Sequence, residues 1–177
     1  MNIEHPTSNI ESEKMKKQDP ISFHFRKPAN IASGILVEIE NLVRQGEAVG
    51  TRLLRDNLRN AYLIGYATGL GGRVIGTVTL KIPQEPYRKK LERATDFNLS
   101  GYLERGYTSV APGYRGLKVG DQLIKGLNQR SKGKKIYLTI RMDNVYAIKL
   151  AHENKMTLAA TFINEGTGHE IGLFVNT

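Results

Sequence analysis

The stretch SVAPGYRGLKVGDQLIKGL, residues 109–127, constrains the fold of this chain more than any other. A β-rich run ends at Val110, and a loop of glycine, proline and basic residues follows. Val119, Leu123 and Leu127 then recur along one side of a helix. The joint is a strand, a short loop and an amphipathic helix in direct succession. The first N–H groups of such a helix have no partner within it, and its dipole adds partial positive charge there. A phosphate or pyrophosphate suits that end. Gly116 and Gly120 let the backbone approach a ligand closely, because no Cβ intervenes, and Arg115 and Lys118 bring charge to the same end. As a bare pattern this is weak, since many strand–loop–helix joints carry a glycine and an arginine for geometric reasons alone.

The flanking sequence supplies a sheet around that joint. ISFHFR, from Ile21, alternates apolar and polar like a half-buried strand. Ile35, Ile39, Leu42 and Val43 follow at helical spacing, with Gly46 placed to end that helix and Thr51 to cap a second one bearing Leu54 and Leu58. Residues 62–70 and 74–82 read as a hairpin about Gly71 and Gly72. In its second strand Val74, Val78, Leu80 and Ile82 are expected on one face, with Thr77, Thr79 and Lys81 on the other. PYRKKLERA places Tyr87, Leu91 and Ala94 on one side of a short basic helix inserted between strands. Tyr102–Val110 reads as a strand, as does KKIYLTI, with Ile136, Leu138 and Ile140 inward. Residues 144–155 read as a helix, and 157–163 pairs with 169–175 across the turn 164–168. The order β-α-α-β-β-(α)-β-α-β-α-β-β gives one α/β domain over 20–177, preceded by a polar tail, 1–19. No repeat and no second domain is evident.

Composition narrows the chemistry. The 177 residues include 0 cysteines, which excludes disulfides, thiolate catalysis and cysteine metal sites. His5, His24, His152 and His169 show no helical ligand spacing, so no metal is expected. No run approaches the roughly 18 apolar residues of a membrane span. The polar N-terminus lacks the apolar core of a secretory signal. The expected compartment is the cytoplasm. A formal charge of +9 favours an anionic partner, whether nucleic acid, membrane surface or phosphorylated cofactor. No recognition helix or basic surface with exposed aromatics is evident, so nucleic acid is not the expected partner.

The run V-x-P-x-Y-R-G-x-x-V-G-x-x-L resembles the coenzyme A pyrophosphate loop of the GNAT N-acetyltransferase superfamily, usually R or Q, x, x, G, x, G or A. Val110, Pro112, Tyr114, Arg115, Gly116, Val119, Gly120 and Leu123 carry the likeness. The element order resembles that fold from Ile21 to Val175, and Asn144, Ala147 and Leu150 resemble the family's N-x-x-A-x-x-L. The resemblance implies a mixed, mostly antiparallel sheet of about seven strands flanked by helices. It implies acetyl-CoA as cosubstrate, an amine as acceptor, and direct attack without an enzyme-bound intermediate. The strand ending at Val110 should splay from its neighbour and pair with the pantetheine arm. The amides of Arg115, Gly116, Leu117, Lys118, Val119 and Gly120 should hold the pyrophosphate. Asn144 should lie beside the pantetheine, a role compatible with capping its own helix.

The sequence departs from that pattern twice. The first glycine of R-x-x-G-x-G is Lys118 here. A left-handed backbone there costs lysine roughly 1 kcal/mol or more, whereas a near-helical one costs little, and the near-helical case is expected. Many members carry a tyrosine after the leucine of N-x-x-A-x-x-L, which protonates the leaving thiolate. That position is Ala151 here. His152 follows it but points about 100° away on a helix, which leaves Tyr146 or a water.

A protonated amine near pKa 10.4 must lose a proton before attack. Glu104 lies on the strand leading to the loop, at a distance comparable to the base glutamate of histone-type members. Period-2 alternation puts it on the face of Thr108 and Val110. A solvent-exposed carboxylate, or one paired with Arg105 or a lysine, is the structural alternative. A backbone N–H of the same strand, that of Val110, is the expected oxyanion donor. The expected acceptor walls are 35–60, 86–96 and 164–169. The basic residues Arg88, Lys89, Lys90 and Arg93 face either an acidic substrate or solvent. A non-catalytic acyl-CoA-binding module is the alternative function, supported by the missing tyrosine. A homodimer is compatible with the family, though no residue here demands one.

Overall fold

The computed structural model describes residues 20–46 and 53–176, so the tail 1–19 and Thr51 lie outside the described residues. The strands are β1 (Ser22–Arg26), β2 (Leu63–Thr68), β3 (Val74–Lys81), β4 (Tyr102–Val110), β5 (Lys135–Arg141), β6 (Met156–Ile163) and β7 (Glu170–Asn176). They form one seven-stranded sheet in the order β1-β2-β3-β4-β5-β7-β6. Every neighbouring pair is antiparallel except β4–β5, which is parallel. The helices are α1 (Ser33–Arg44), α2 (Leu54–Arg59), α3 (Glu85–Thr95), α4 (Val119–Arg130) and α5 (Val145–Glu153). None of the described helices is long and apolar enough to cross a membrane.

The helices divide between the two faces. Ile39 and Val43 of α1, with Leu54 and Leu58 of α2, bury against Ile64 of β2. Leu91 of α3 buries on the same side against Tyr137, Leu173 and Val175. On the other face Val119, Leu123, Ile124 and Leu127 of α4 and Ala151 of α5 pack on Val78, Leu80, Ile136, Leu138 and Phe174. Between α1 and α2, the carboxylate of Glu40 accepts hydrogen bonds from both Arg55 (2.9 Å) and Arg44 (2.7 Å). The Arg55 bond, more than the Arg44 bond, holds its carboxyl below the usual carboxylate range.

One expectation about β3 fails. With helices on both sides, every residue from Ile75 to Leu80 is buried, and Thr77 and Thr79 are fully so. A central strand covered on both faces has no polar-out side. Thr77 Oγ1 resolves its burial by donating to Gly65 O at 3.1 Å. Ile82 falls beyond the strand and stands 59% exposed instead of joining the core.

At the β1 edge, the Phe25 ring sits in a slot left by two missing side chains. Phe25 lies opposite Gly65 in the β1–β2 register. A Cβ added at Gly65 would lie 2.8 Å from the ring, and one added at Gly126 of α4 would collide with it from the other side. Arg130 stacks over the same ring at 4.1 Å. Alanine at 126 gains about 1 kcal/mol of helix propensity, but overpacking typically costs roughly 1–3 kcal/mol. The ring cannot retreat, because Gly65 backs it. Gly126→Ala should therefore lower the thermal midpoint by a few degrees in scanning calorimetry. A rise would mean the ring moves freely.

Candidate active site

β4 and β5 pair only over Tyr102, Leu103 and Glu104, opposite Lys135, Ile136 and Tyr137. Beyond these, β5 follows β7 as far as Arg141 while β4 follows β3 as far as Val110. The splay expected for the strand before the loop is therefore present. The parting opens a cleft of about 1480 Å³. Asn144, Ala147 and Ala151 of α5 line one end, Tyr87, Lys90 and Arg93 of α3 another, and Asn164 and His169 a third. Of the expected acceptor walls, 86–96 and 164–169 border it. No described residue of 35–60 does, because α1 and α2 pack instead on β2–β4.

Within β4 the ladder to β3 slips. Thr77 pairs with Ser109 and Thr79 with Gly106, so Tyr107 and Thr108 together face Val78. This is a β-bulge, with Tyr107 at φ 51°. Tyr107 is held there by Asn57 Nδ2, which donates to its hydroxyl at 2.8 Å, and by Lys81 Nζ, 4.4 Å from its ring centroid. The extra residue inverts the alternation expected of this strand. Glu104 stands opposite Lys81, on the face of α1–α3. Val110 stands opposite Gly76, whose missing Cβ would meet Val119 and Leu123 of α4. Glu104 and Val110 therefore lie on opposite faces, not the same one.

Glu104 is 8% exposed, and its Oε1 lies 2.7 Å from Lys81 Nζ, a lysine partner rather than Arg105 or solvent. Glu104 is not itself among the residues lining the cleft, whereas Arg105, Gly106 and Tyr107, which follow it, are. Two further tyrosines surround the carboxylate. Tyr87 is 41% exposed over the whole residue, yet burial around its hydroxyl, and then the Glu104 charge, push it up to about 12. Burial, and after it the same charge, raises Tyr137, whose buried hydroxyl has no partner among the described residues. Neither tyrosine stood out in the sequence. Tyr87 shares its helical face with the core residue Leu91, and Tyr137 alternates with inward apolar residues, so both match ordinary packing positions.

At the far end of β4, Ala111 N–H donates to Ile75 O at 2.9 Å. The adjacent Val110–Gly76 pair is then the non-hydrogen-bonded kind, which turns the Val110 N–H and C=O away from β3 and into the gap. The Val110 carbonyl accepts from Arg115 Nε at 3.3 Å. Chain direction then reverses through a 3-10 turn, Pro112–Tyr114, and through Gly116 at φ 80°. Lys118 caps α4 at φ 58°, ψ 18°. It is left-handed, contrary to the near-helical backbone expected, because the loop must turn sharply to aim α4 back along the sheet. Its side chain makes no cap, and Gln122 N–H bonds to Lys118 O at 3.0 Å. The amides of Val119 and Gly120 thus face outward at a helix N-terminus. A Cβ at Gly120 would meet only Val110 Cγ2, at an ordinary 3.5 Å. Packing within the chain does not demand that glycine, so the room it leaves lies on the ligand side.

Asn144 caps its helix, with Oδ1 accepting Ala147 N–H at 3.0 Å, and it also lines the cleft. Ala151 is 1% exposed and lines the same wall. His152 is turned away, with Nδ1 3.1 Å from Met156 O and its ring against Phe174. Tyr146 stands 77% exposed at the rim. Among the described residues, no group of His, Cys, Asp or Glu could hold a metal ion.

The model of the acetyltransferase (GNAT) family matches residues 12–155. The chain belongs to this family. Among curated proteins compared by sequence, none matches. Solved structures share the fold. NAA60 of Arabidopsis thaliana, in complex with a bisubstrate analogue, has TM-score 0.64 at 20% identity, covering 88% of this chain and 98% of that one. The ribosomal-protein-S18-alanine N-acetyltransferase of Escherichia coli has TM-score 0.64 at 13% identity, covering 88% and 93%. The putative acetyltransferase yncA of Salmonella typhimurium, with its cofactor acetyl-CoA, has TM-score 0.59 at 17% identity, covering 88% and 92%.

The left-handed Lys118 gives a direct test of the loop. Relief of its strain is worth roughly 1–2 kcal/mol, against about 0.5–1 kcal/mol of extra backbone entropy for glycine. Lys118→Gly should leave the free protein equally stable or slightly more so in thermal unfolding. A clear loss of stability would place Lys118 in a structural contact.

Proposed function

We propose that the protein transfers the acetyl group of acetyl-CoA to an amine, by direct attack with Glu104 as general base. The observation that carries this reading is the parting of β4 from β5 in line with the outward amides of α4. Together they make an extended slot with unpaired backbone at one end and an anion site at the other. The acetyl-CoA in the Salmonella typhimurium structure and the bisubstrate analogue in the Arabidopsis structure support the same reading.

When bound, acetyl-CoA supplies an activated acyl carbon. The amides of Arg115 through Gly120 hold its pyrophosphate, aided by the charges of Arg115 and Lys118. The open edge of β4 from Arg105 to Val110 pairs with the pantetheine arm, and Asn144 lies beside it. The Val110 N–H, aimed into the gap, joins the pantetheine pairing, and an open N–H of β4 nearer Glu104, not that of Val110, stabilises negative charge on the thioester oxygen. Glu104 takes the proton of the incoming amine, directly or through a water, while Lys81 fixes the carboxylate and Tyr107 borders the path. The amine enters between α3 and the 164–169 turn.

Calorimetric titration with acetyl-CoA tests the cofactor site. Micromolar binding is expected, and Gly120→Asp, which puts a carboxylate where the pyrophosphate lies, should abolish it without unfolding the protein. No binding by the unaltered protein would overturn the reading. For an amine found by screening, Glu104→Gln should cut kcat roughly 10²–10⁴-fold while leaving acetyl-CoA affinity intact. An unchanged kcat would remove Glu104 from the mechanism. Tight acetyl-CoA binding with no turnover on any amine would favour a binding module, the function that the alanine at position 151 suggests.

A further inference from the structure

Arg105 is the first residue of β4 past its last pair with β5. It stands opposite Leu80, which belongs to the core beneath α4, so its side chain lies on the α4–α5 face. It is 5% exposed, and its Nη1 is buried with no hydrogen-bond partner among the described residues. No carboxylate among the described residues pairs with it, yet it lines the cleft. Burial lowers its guanidinium to about 10, which leaves it charged at neutral pH. An unpaired buried charge is costly, because water is lost and nothing replaces it.

The surroundings indicate what completes it. The neighbouring cleft wall is apolar, formed by Ile124, Leu138, Ala147, Leu150 and Ala151. Among the described residues, the only acid lining the cleft is Glu165, on the 164–169 turn. The pyrophosphate end is too far to serve, since the bulge leaves Arg105 and Val110 opposite Leu80 and Gly76, four strand steps apart, about 13 Å at roughly 3.3 Å per residue. The charge therefore awaits an anion formed at the reacting end of the slot. Ala151 shares this wall, so the position from which many family members donate a proton to sulfur carries no proton here.

We propose that Arg105 is a catalytic residue that binds the departing thiolate of coenzyme A, stabilising it as an anion where related enzymes protonate it. The inference rests on the acetyl-transfer reading above. The amine nitrogen forms a bond to the acyl carbon, and the carbon–sulfur bond breaks with its electron pair leaving on sulfur. The amine proton goes to Glu104, the thiolate pairs with Arg105, and sulfur takes a proton from solvent on release. The products are the amide and free coenzyme A.

The test reads the sulfur directly and needs no acceptor. Since the chain has 0 cysteines, coenzyme A contributes the only thiol in the complex. Its ionisation is followed by ultraviolet difference absorbance of the protein–coenzyme A complex against ligand-free protein, below the range where tyrosine ionises. In the unaltered protein the bound thiol should titrate at least one pH unit below free coenzyme A, a tenfold shift in acidity. Arg105→Met should return the midpoint to the free value or above it, and Arg105→Lys should keep part of the shift. A bound thiol in the unaltered protein that titrates at or above the free value overturns the proposal, whether or not either variant folds. Calorimetry of the same samples separates the two failures. Binding with an unshifted thiol refutes only the role of Arg105, whereas absence of binding refutes the acetyl-transfer reading and this inference with it.

Discussion

β5 leaves β4 after three residue pairs, and every functional property argued above depends on that parting. An interior edge of a sheet does not open freely, because its N–H and C=O groups then lose their partners. Here the cause is local. The bulge at Tyr107 and Thr108 adds twist to β4 just past its last pair with β5, turning its free edge away. β5 meanwhile stays bound to β7 through Arg141, and α4 and α5 support the sheet from below. The result is a slot with unpaired backbone along one side and a helix N-terminus at its end.

Backbone strain is concentrated at the same place. Four described residues other than glycine have positive φ: Asp96, Tyr107, Lys118 and Lys155. Asp96 and Lys155 follow the ends of α3 and α5, where left-handed residues commonly terminate helices. The other two have no such ordinary explanation. Tyr107 makes the bulge that parts the strands, and Lys118 aims the α4 N-terminus. Strained residues persist where surrounding contacts over-determine them, and the Asn57 and Lys81 contacts to Tyr107 supply that constraint.

The sequence made most of the elements legible because the signals were local. Apolar periodicity placed β4, β5 and α4, and Gly71 and Gly72 marked the β2–β3 turn, where both take positive φ. The loop before α4 and the Asn144 cap of α5 were readable because both are set within a few residues of sequence. Glu104 stood out as a candidate base, but its face was misjudged, since a bulge leaves period-2 alternation intact in the sequence while inverting it in space. The burial of Thr77 and Thr79 was missed for a different reason: two-sided cover depends on helices distant in the chain. Arg105 escaped notice because no local pattern distinguishes a buried arginine from an exposed one beside a glutamate. Only the packed structure reveals that its Nη1 lacks a partner among the described residues.

The seam between β4 and β5 also divides the chain in sequence. β1–β4 with α1–α4 occupy one continuous stretch, and β5–β7 with α5 occupy the next. Few features bind the halves together: three pairs across the seam, α4 packed on β5, and α3 reaching over to the β6–β7 side. Neither half lines the 1480 Å³ cleft by itself, since its walls come from Pro86 to Ile124 in one and from Leu138 to Ile171 in the other. The site is thus a property of their meeting, and it comes into being only when the two halves of the domain have joined.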